Sequence, residues 1–151
     1  MRLTTLCYLI KDNKYLMLHR TKKVNDINSG KYIGVGGHVE EGESPLECIK
    51  REVKEETGFT LNSARCRGHI TFVLGNETEH TFLYTSEDFE GQILEDCSEG
   101  DLVWVDSDRV KELNLWDGDS VFLDLLNMRE DFFTLKLVYD TEDNFIEAIM
   151  E

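Results

Sequence analysis

Residues 37–59 read GHVEEGESPLECIKREVKEETGF, and this stretch predicts a helix with both boundaries marked. Ser44 takes the N-cap, Pro45 the first helical position, where its missing N–H costs nothing, and Glu47 the third, completing a capping box. Gly58 stands where a terminating glycine accepts positive φ. Leu46, Ile49 and Val53 form one apolar stripe at helical spacing. Glu52, Glu55 and Glu56 form a second arc, because spacings of three and four return to one face. Such an arc is costly: the carboxylates repel one another, and the C-terminal half of a helix disfavours anions. A solvated acidic face, offset by Arg51 and Lys54, is one reading. The flanking sequence favours another. Gly34, Gly36 and Gly37 give a backbone that approaches a ligand closely, and Glu40, Glu41 and Glu43 follow. Carboxylates at i, i+3 and i+4 with a glycine carbonyl suit a hard divalent cation, substrate phosphates completing its shell.

Upstream, residues 3–10 and 14–19 are two apolar runs joined by Lys11-Asp12-Asn13, which predicts a hairpin. Residues 32–37 read as a short strand ending in glycines. Downstream, strands are expected at 66–74, 80–85, 91–95 and 101–106. Ser107 is expected to cap a short helix through Leu113, and Asp119 or Ser120 to cap another through Met128. A closing hairpin runs from 132–139 through a polar turn to 145–150. Strands and helices mix without regular βαβ alternation, so the expected class is α/β in the α+β sense: layers on a mixed sheet, one domain over residues 1–151.

The chain has 151 residues, 40% of them apolar, enough for a core without disulfides or a structural metal. No apolar run is long enough to span a membrane, and the opening residues lack a signal-peptide cleavage site. Cys7, Cys48, Cys66 and Cys97 form no CxxC pair, which argues against zinc ribbons and disulfide scaffolds and reads as a reducing cytoplasm. The net charge of −15 excludes a broad basic face for polymeric nucleic acid. Yet residues 1–31 carry seven basic and two acidic side chains. Arg20, Lys22, Lys23 and Lys31 read either as a solvated loop or as a positive collar for a small anionic substrate.

Gly37, Glu43 and Arg51-Glu52-Val53-Lys54-Glu55-Glu56-Thr57-Gly58-Phe59, at these spacings, resemble the Nudix box over residues 37–59. Phe59 fills a usually aliphatic slot. Beyond the box, the WDGDS run at 116–120 and FFTLKLVYD near the end resemble MutT-type 8-oxo-dGTP diphosphatases. The resemblance implies a Nudix-type α/β/α sandwich around a mixed sheet. It implies Mg²⁺, or Mn²⁺ in its place, on Glu52, Glu55, Glu56, Glu99 and the Gly36 carbonyl, with Glu43 and Arg51 bracing the catalytic carboxylates. It also implies that Trp116 stacks on the base, that Asp119 reads its edge, and that Thr5 and Arg20 lie on the substrate side. The mammalian enzymes carry adjacent aspartates where this chain has Gly118-Asp119, and an Asn where it has Ile33.

Alternatives stay open outside the box. Trp116 also reads as a packed surface residue with Asp119 as an ordinary N-cap, and Phe72 either lines the base pocket or fills the sheet. His19, His38, His69 and His80 lack metal-ligand spacing and read as structural. The reaction implied is Mg²⁺-dependent hydrolysis of a nucleoside triphosphate, 8-oxo-dGTP above all, to the monophosphate and pyrophosphate. Competing readings are a hydrolase of ADP-ribose or dinucleoside polyphosphates, and a non-catalytic nucleotide sensor. The expected partner is a small nucleotide, with neither membrane nor polymeric nucleic acid; monomer and dimer both remain open.

Overall fold

Asp12 and Asn13 take φ of 53° and 61°, the paired left-handed conformation of a tight hairpin turn. They join β1 (Arg2–Lys11) to β2 (Lys14–Arg20) in a computed structural model that describes residues 1–22 and 25–151. Next come β3 (Tyr32–Ile33), β4 (Val35–His38) and α1 (Pro45–Thr57). They are followed by β5 (Thr60–Leu61), β6 (Arg65–Leu74), β7 (Glu77–Ser86), β8 (Phe89–Glu90) and β9 (Gly100–Asp106). The chain ends with α2 (Asp119–Met128), β10 (Phe133–Tyr139) and β11 (Phe145–Met150).

The main sheet runs β11-β10-β6-β7-β1-β2-β3, with β4 added to β1 and β9 to β2. β1 pairs parallel with β7, and β10 with β6, while the other pairings are antiparallel. The sheet is mixed, as expected, and side-chain alternation gives it two apolar faces. Tyr8, Ile70, Leu83, Leu135 and Leu137 pack with Phe122, Leu123 and Leu126 of α2 on one face. Cys7, Leu9, Leu16 and Tyr84 pack with Ile49 and Val53 of α1 on the other. A helix therefore covers each side of the sheet. Among the described residues no helix is long and apolar enough to cross a membrane.

α1 forms as its sequence dictates. The Glu47 N–H donates to Ser44 Oγ at 3.1 Å, the Ser44 N–H to Glu47 Oε1 at 2.9 Å, and Gly58 has φ of 86°. Full burial of Ile49 and Val53 contributes about 1.5–3 kcal/mol each, against a few tenths for each like-charge pair on the helix surface. Apolar anchoring wins, so the glutamates are held together despite their repulsion.

Four local expectations are corrected. No strand forms at 91–95; the edge pair is β5 with β8 instead, because the acidic, Gly-containing stretch after Gly91 offers no apolar alternation. Leu46 is 39% exposed and Cys48 is buried in its place, since the first helical turn projects beyond the sheet. Ser107 caps nothing; only a 3₁₀ turn, Val110–Glu112, forms, without a side-chain cap. Nor does Asp119 or Ser120 cap α2: Gly118 is the N-cap and makes no side-chain bond. The Ser120 hydroxyl donates to the Asp117 carbonyl.

Candidate active site

Arg51 is the hub of the 37–59 segment. Its Nε and Nη2 donate to Glu43 Oε2 and Oε1 at 2.7 and 2.9 Å, a bidentate pair. Its Nη1 reaches Glu52 at 2.8 Å and Glu55 at 3.5 Å, and its Nη2 also donates to the His38 carbonyl at 3.2 Å. The Arg51 guanidinium, with the Glu40 N–H, pulls the Glu43 carboxyl down to about 2.

The three helix glutamates are not equivalent. Glu55 is exposed, whereas Glu52 is largely covered because the buried arc runs through Cys48, Glu52 and Glu56 as well as Ile49 and Val53. The glycines of β4 make room for them. A Cβ on Gly37 would lie 2.5 Å from Glu52 Oε1, and one on Gly36 would lie 1.9 Å from the Thr5 carbonyl oxygen. No side chain fits either place. The Gly36 N–H donates to Glu56 Oε2 at 3.1 Å. Burial first, then the hydrogen bond and charge of Glu99 and the charge of Glu52, push the Glu56 carboxyl up to about 10. Burial also raises Glu52. Glu99, in the turn before β9, accepts from Arg20 Nη1 at 3.5 Å.

In this arrangement no three or more His, Cys, Asp or Glu side chains close around one metal-holding point among the described residues. Glu52 and Glu55 turn to Arg51, while Glu56 turns to Gly36 and Glu99. The donor chemistry nevertheless fits a hard divalent cation. Glu52, Glu56 and Glu99 offer oxygen ligands only, and burial first, then the neighbouring Glu99 and Glu52, raise the Glu56 carboxyl, a cost that positive charge would relieve.

On the opposite face of the sheet, Trp116 lies partly buried beside the core that includes Tyr8, Phe122 and Tyr139, and Phe72 packs on the same cluster. The indole N–H donates to Asn28 Oδ1 at 2.7 Å, and the Lys31 ammonium sits 5.0 Å from the Trp116 ring centre. The Tyr139 ring meets Trp116 edge-on, and its hydroxyl accepts the Gly118 N–H at 2.7 Å. Asp119, in the first turn of α2, is buried, and burial pushes its carboxyl up to about 7 against the pull of Lys31.

Thr5 and Arg20, also expected on the substrate side, have other neighbours than Trp116 and Phe72. Thr5 faces α1, where its hydroxyl donates to the Gly37 carbonyl and shares a hydrogen bond with Cys48 Sγ. Alternation along β1 turns it away from Trp116 and Phe72. Arg20 is tied to Asp26 and Glu99, beside the carboxylates. Of the basic collar, Lys22 pairs with Asp96, while Lys31 donates to two neutral acceptors, Asn114 Oδ1 and the Leu115 carbonyl. Lys23 lies outside the described residues. The histidines have local roles, His19 stacked on Tyr32 at 4.0 Å and His69 hydrogen-bonded to His80 at 2.9 Å. Sequence reasoning missed Asp26, Asn28 and Tyr139. The Asp-x-Asn-x-Gly pattern at 26–30 was the available signal, since Asp there closes a local turn.

The NUDIX domain family profile matches residues 1–126. An uncharacterized Nudix hydrolase of Bacillus subtilis, YvcI, is 29% identical over 128 residues, which are 81% of this chain and 77% of that protein. The oxidized purine nucleoside triphosphate hydrolase of Mus musculus is 29% identical over 133 residues, 87% of this chain and 83% of that one. The crystal structure of a MutT protein from Bacillus halodurans superposes with a TM-score of 0.91 at 24% identity, covering 100% of this chain and 98% of that chain. This chain belongs to the NUDIX domain family and is a pyrophosphohydrolase.

Proposed function

We propose that the protein hydrolyses oxidised purine nucleoside triphosphates, 8-oxo-dGTP above all, to the monophosphate and pyrophosphate, and so clears damaged precursors from the nucleotide pool. The observation that carries this substrate class is the buried Asp119 carboxyl, pushed up to about 7 beside Trp116. An ionised carboxylate only accepts hydrogen bonds, while a neutral one also donates. A group poised between these forms suits a base whose edge is altered by oxidation. Trp116 supplies the stacking face, and Phe72 packs against the same pocket wall. The four free cysteines fit a reducing cytoplasm.

Glu52, Glu56 and Glu99, with the Gly36 carbonyl, would hold Mg²⁺ or Mn²⁺, and Glu55 would be a further ligand. When bound, the cation supplies neutralisation of phosphate charge and a water of lowered pKa. Arg51 fixes the direction of Glu52 and Glu55, and Glu43 fixes Arg51. A carboxylate of the Glu56–Glu99 pair accepts the proton of the attacking water. The pair titrates as a unit, so the base is the pair rather than one member.

Millimolar Mg²⁺ is expected to raise the melting temperature, because it binds the folded carboxylate set and not the unfolded chain. The gain should vanish in Glu52→Gln/Glu56→Gln; an equal rise in both proteins would mean general screening instead. At the base pocket, Asp119→Asn should make the 8-oxo-dGTP to dGTP ratio of kcat/KM independent of pH between 6 and 8. It should also stabilise the protein at alkaline pH. A carboxyl raised from 3.8 to about 7 contributes stability below the lower value and loses it as pH rises through the higher one. A ratio that keeps its wild-type pH dependence would remove Asp119 from base reading. Trp116→Ala should weaken all purine nucleotides together, by about 1–3 kcal/mol of lost stacking.

A further inference from the structure

We propose that Asp26 and Arg20 are positioning residues that tie the Trp116 pocket to Glu99, so that nucleotide and metal binding strengthen one another. The inference rests on the reading that Trp116 stacks the base and Glu99 joins the metal set. An unbroken chain of contacts joins the two ends. The Trp116 indole N–H donates to Asn28 Oδ1 at 2.7 Å, the Asn28 N–H to Asp26 Oδ1 at 3.2 Å, and Arg20 Nε to Asp26 Oδ2 at 2.9 Å. Arg20 Nη1 then donates to Glu99 Oε2 at 3.5 Å, and Glu99 is hydrogen-bonded to Glu56.

Burial gives these links a defined geometry. The Asp26 and Arg20 side chains are 8% and 11% exposed, unlike surface ion pairs, whose loose geometry contributes little. Both Asp26 oxygens are engaged, one on each side of the relay, so Asp26 cannot reorient toward Arg20 without disturbing Asn28. The backbone repeats the linkage: the Arg20 N–H donates to the Lys31 carbonyl at 2.9 Å and the Gly30 N–H to the Arg20 carbonyl at 2.7 Å. Lys31 in turn lies over the Trp116 ring. The Arg20 guanidinium and a divalent cation compete for the same Glu99 carboxylate. With Glu99 committed to the cation, Arg20 is left with Asp26 alone, and the change reaches Trp116 through Asn28. Linkage makes the effect reciprocal, so a base that fixes Trp116 biases Arg20 away from Glu99.

The test uses the full chain labelled with 5-fluorotryptophan, which carries two tryptophans. Trp104 packs against Phe59 and Phe89 on the α1 side and serves as the internal reference; Trp104→Phe assigns the two ¹⁹F resonances. Mg²⁺ is added without nucleotide, against NaCl of matched ionic strength, and Mn²⁺ binding is followed separately by electron paramagnetic resonance. The Trp116 resonance is expected to move saturably with Mg²⁺. Asp26→Asn keeps an acceptor for Asn28 but loses the charge that holds Arg20. It should abolish that movement and weaken Mn²⁺ binding several-fold, because Arg20 then rests on Glu99; Asp26→Glu should restore part of both. Asn28→Ala cuts the chain at the next link and should silence the resonance with Mn²⁺ affinity unchanged, which serves if Asp26→Asn does not fold. A Trp116 resonance that ignores Mg²⁺ while Mn²⁺ binds would overturn the relay alone, as would a shift that survives both variants. Absence of Mn²⁺ binding would overturn the metal reading and the relay with it.

Discussion

Glu56→Gln is expected to lower kcat by about 10²–10⁴-fold while raising the melting temperature of the metal-free protein. The Glu56 carboxyl is buried against Gly36, Glu52 and Glu99 and is pushed from 4.5 up to about 10. The folded protein therefore holds a proton that the unfolded chain releases. The stability linked to it is fully present below about pH 4.5 and is lost as pH rises toward 10. Glutamine keeps the shape and the acceptor for the Gly36 N–H but cannot ionise, so its advantage in EDTA should grow from pH 6 to pH 9. Turnover measured beside melting curves at both pH values checks the two effects together. Wild-type turnover in the variant would remove Glu56 from the catalytic set.

Arg51→Met should have the second largest effect, on stability and turnover together. Methionine preserves much of the apolar stem but removes the cation that Glu40, Glu43, Glu52 and Glu55 all approach within 4 Å. Misplacing a reacting group by an ångström costs on the order of 10²-fold in rate, so kcat should fall at least that far. The stability difference should depend on pH in the opposite sense to that of Glu56. Glu43 is drawn down from 4.5 to about 2, so its stabilisation is present above the first value and lost as pH falls toward the second. The melting-temperature gap between wild type and Arg51→Met should therefore narrow from pH 5 to pH 2. A constant gap would mean that Arg51 acts by packing alone.

The helix at 45–57 was legible to the residue because every one of its signals is local. Ser44, Glu47 and Gly58 satisfy backbone groups within a turn of themselves. The hairpin turn at Asp12-Asn13 and the closing hairpin were readable for the same reason. What escaped the sequence depends on which face of the sheet a side chain leaves. Thr5 and Leu6 are neighbours in the chain, yet one meets Cys48 under α1 and the other packs toward α2. No one-dimensional pattern separates Glu55 from Glu52 and Glu56 either, since only the docking of α1 on β4 decides which carboxylates are enclosed. Asp119 also read as an ordinary cap, and only the fold shows that Gly118 takes the N-cap of α2 while the Asp119 side chain is buried. Arg20 was placed with substrate by resemblance, but its partners Asp26 and Glu99 lie 6 and 79 residues away. The distant one is invisible without the fold.

The most direct test of the account is a product-resolved turnover panel with Mg²⁺, comparing 8-oxo-dGTP, dGTP, ADP-ribose and dinucleoside polyphosphates at equal enzyme concentration. 8-oxo-dGTP is expected to have the highest kcat/KM and to yield 8-oxo-dGMP and pyrophosphate. A higher kcat/KM for ADP-ribose or a dinucleoside polyphosphate, release of orthophosphate from 8-oxo-dGTP, or nucleotide binding without turnover would contradict it.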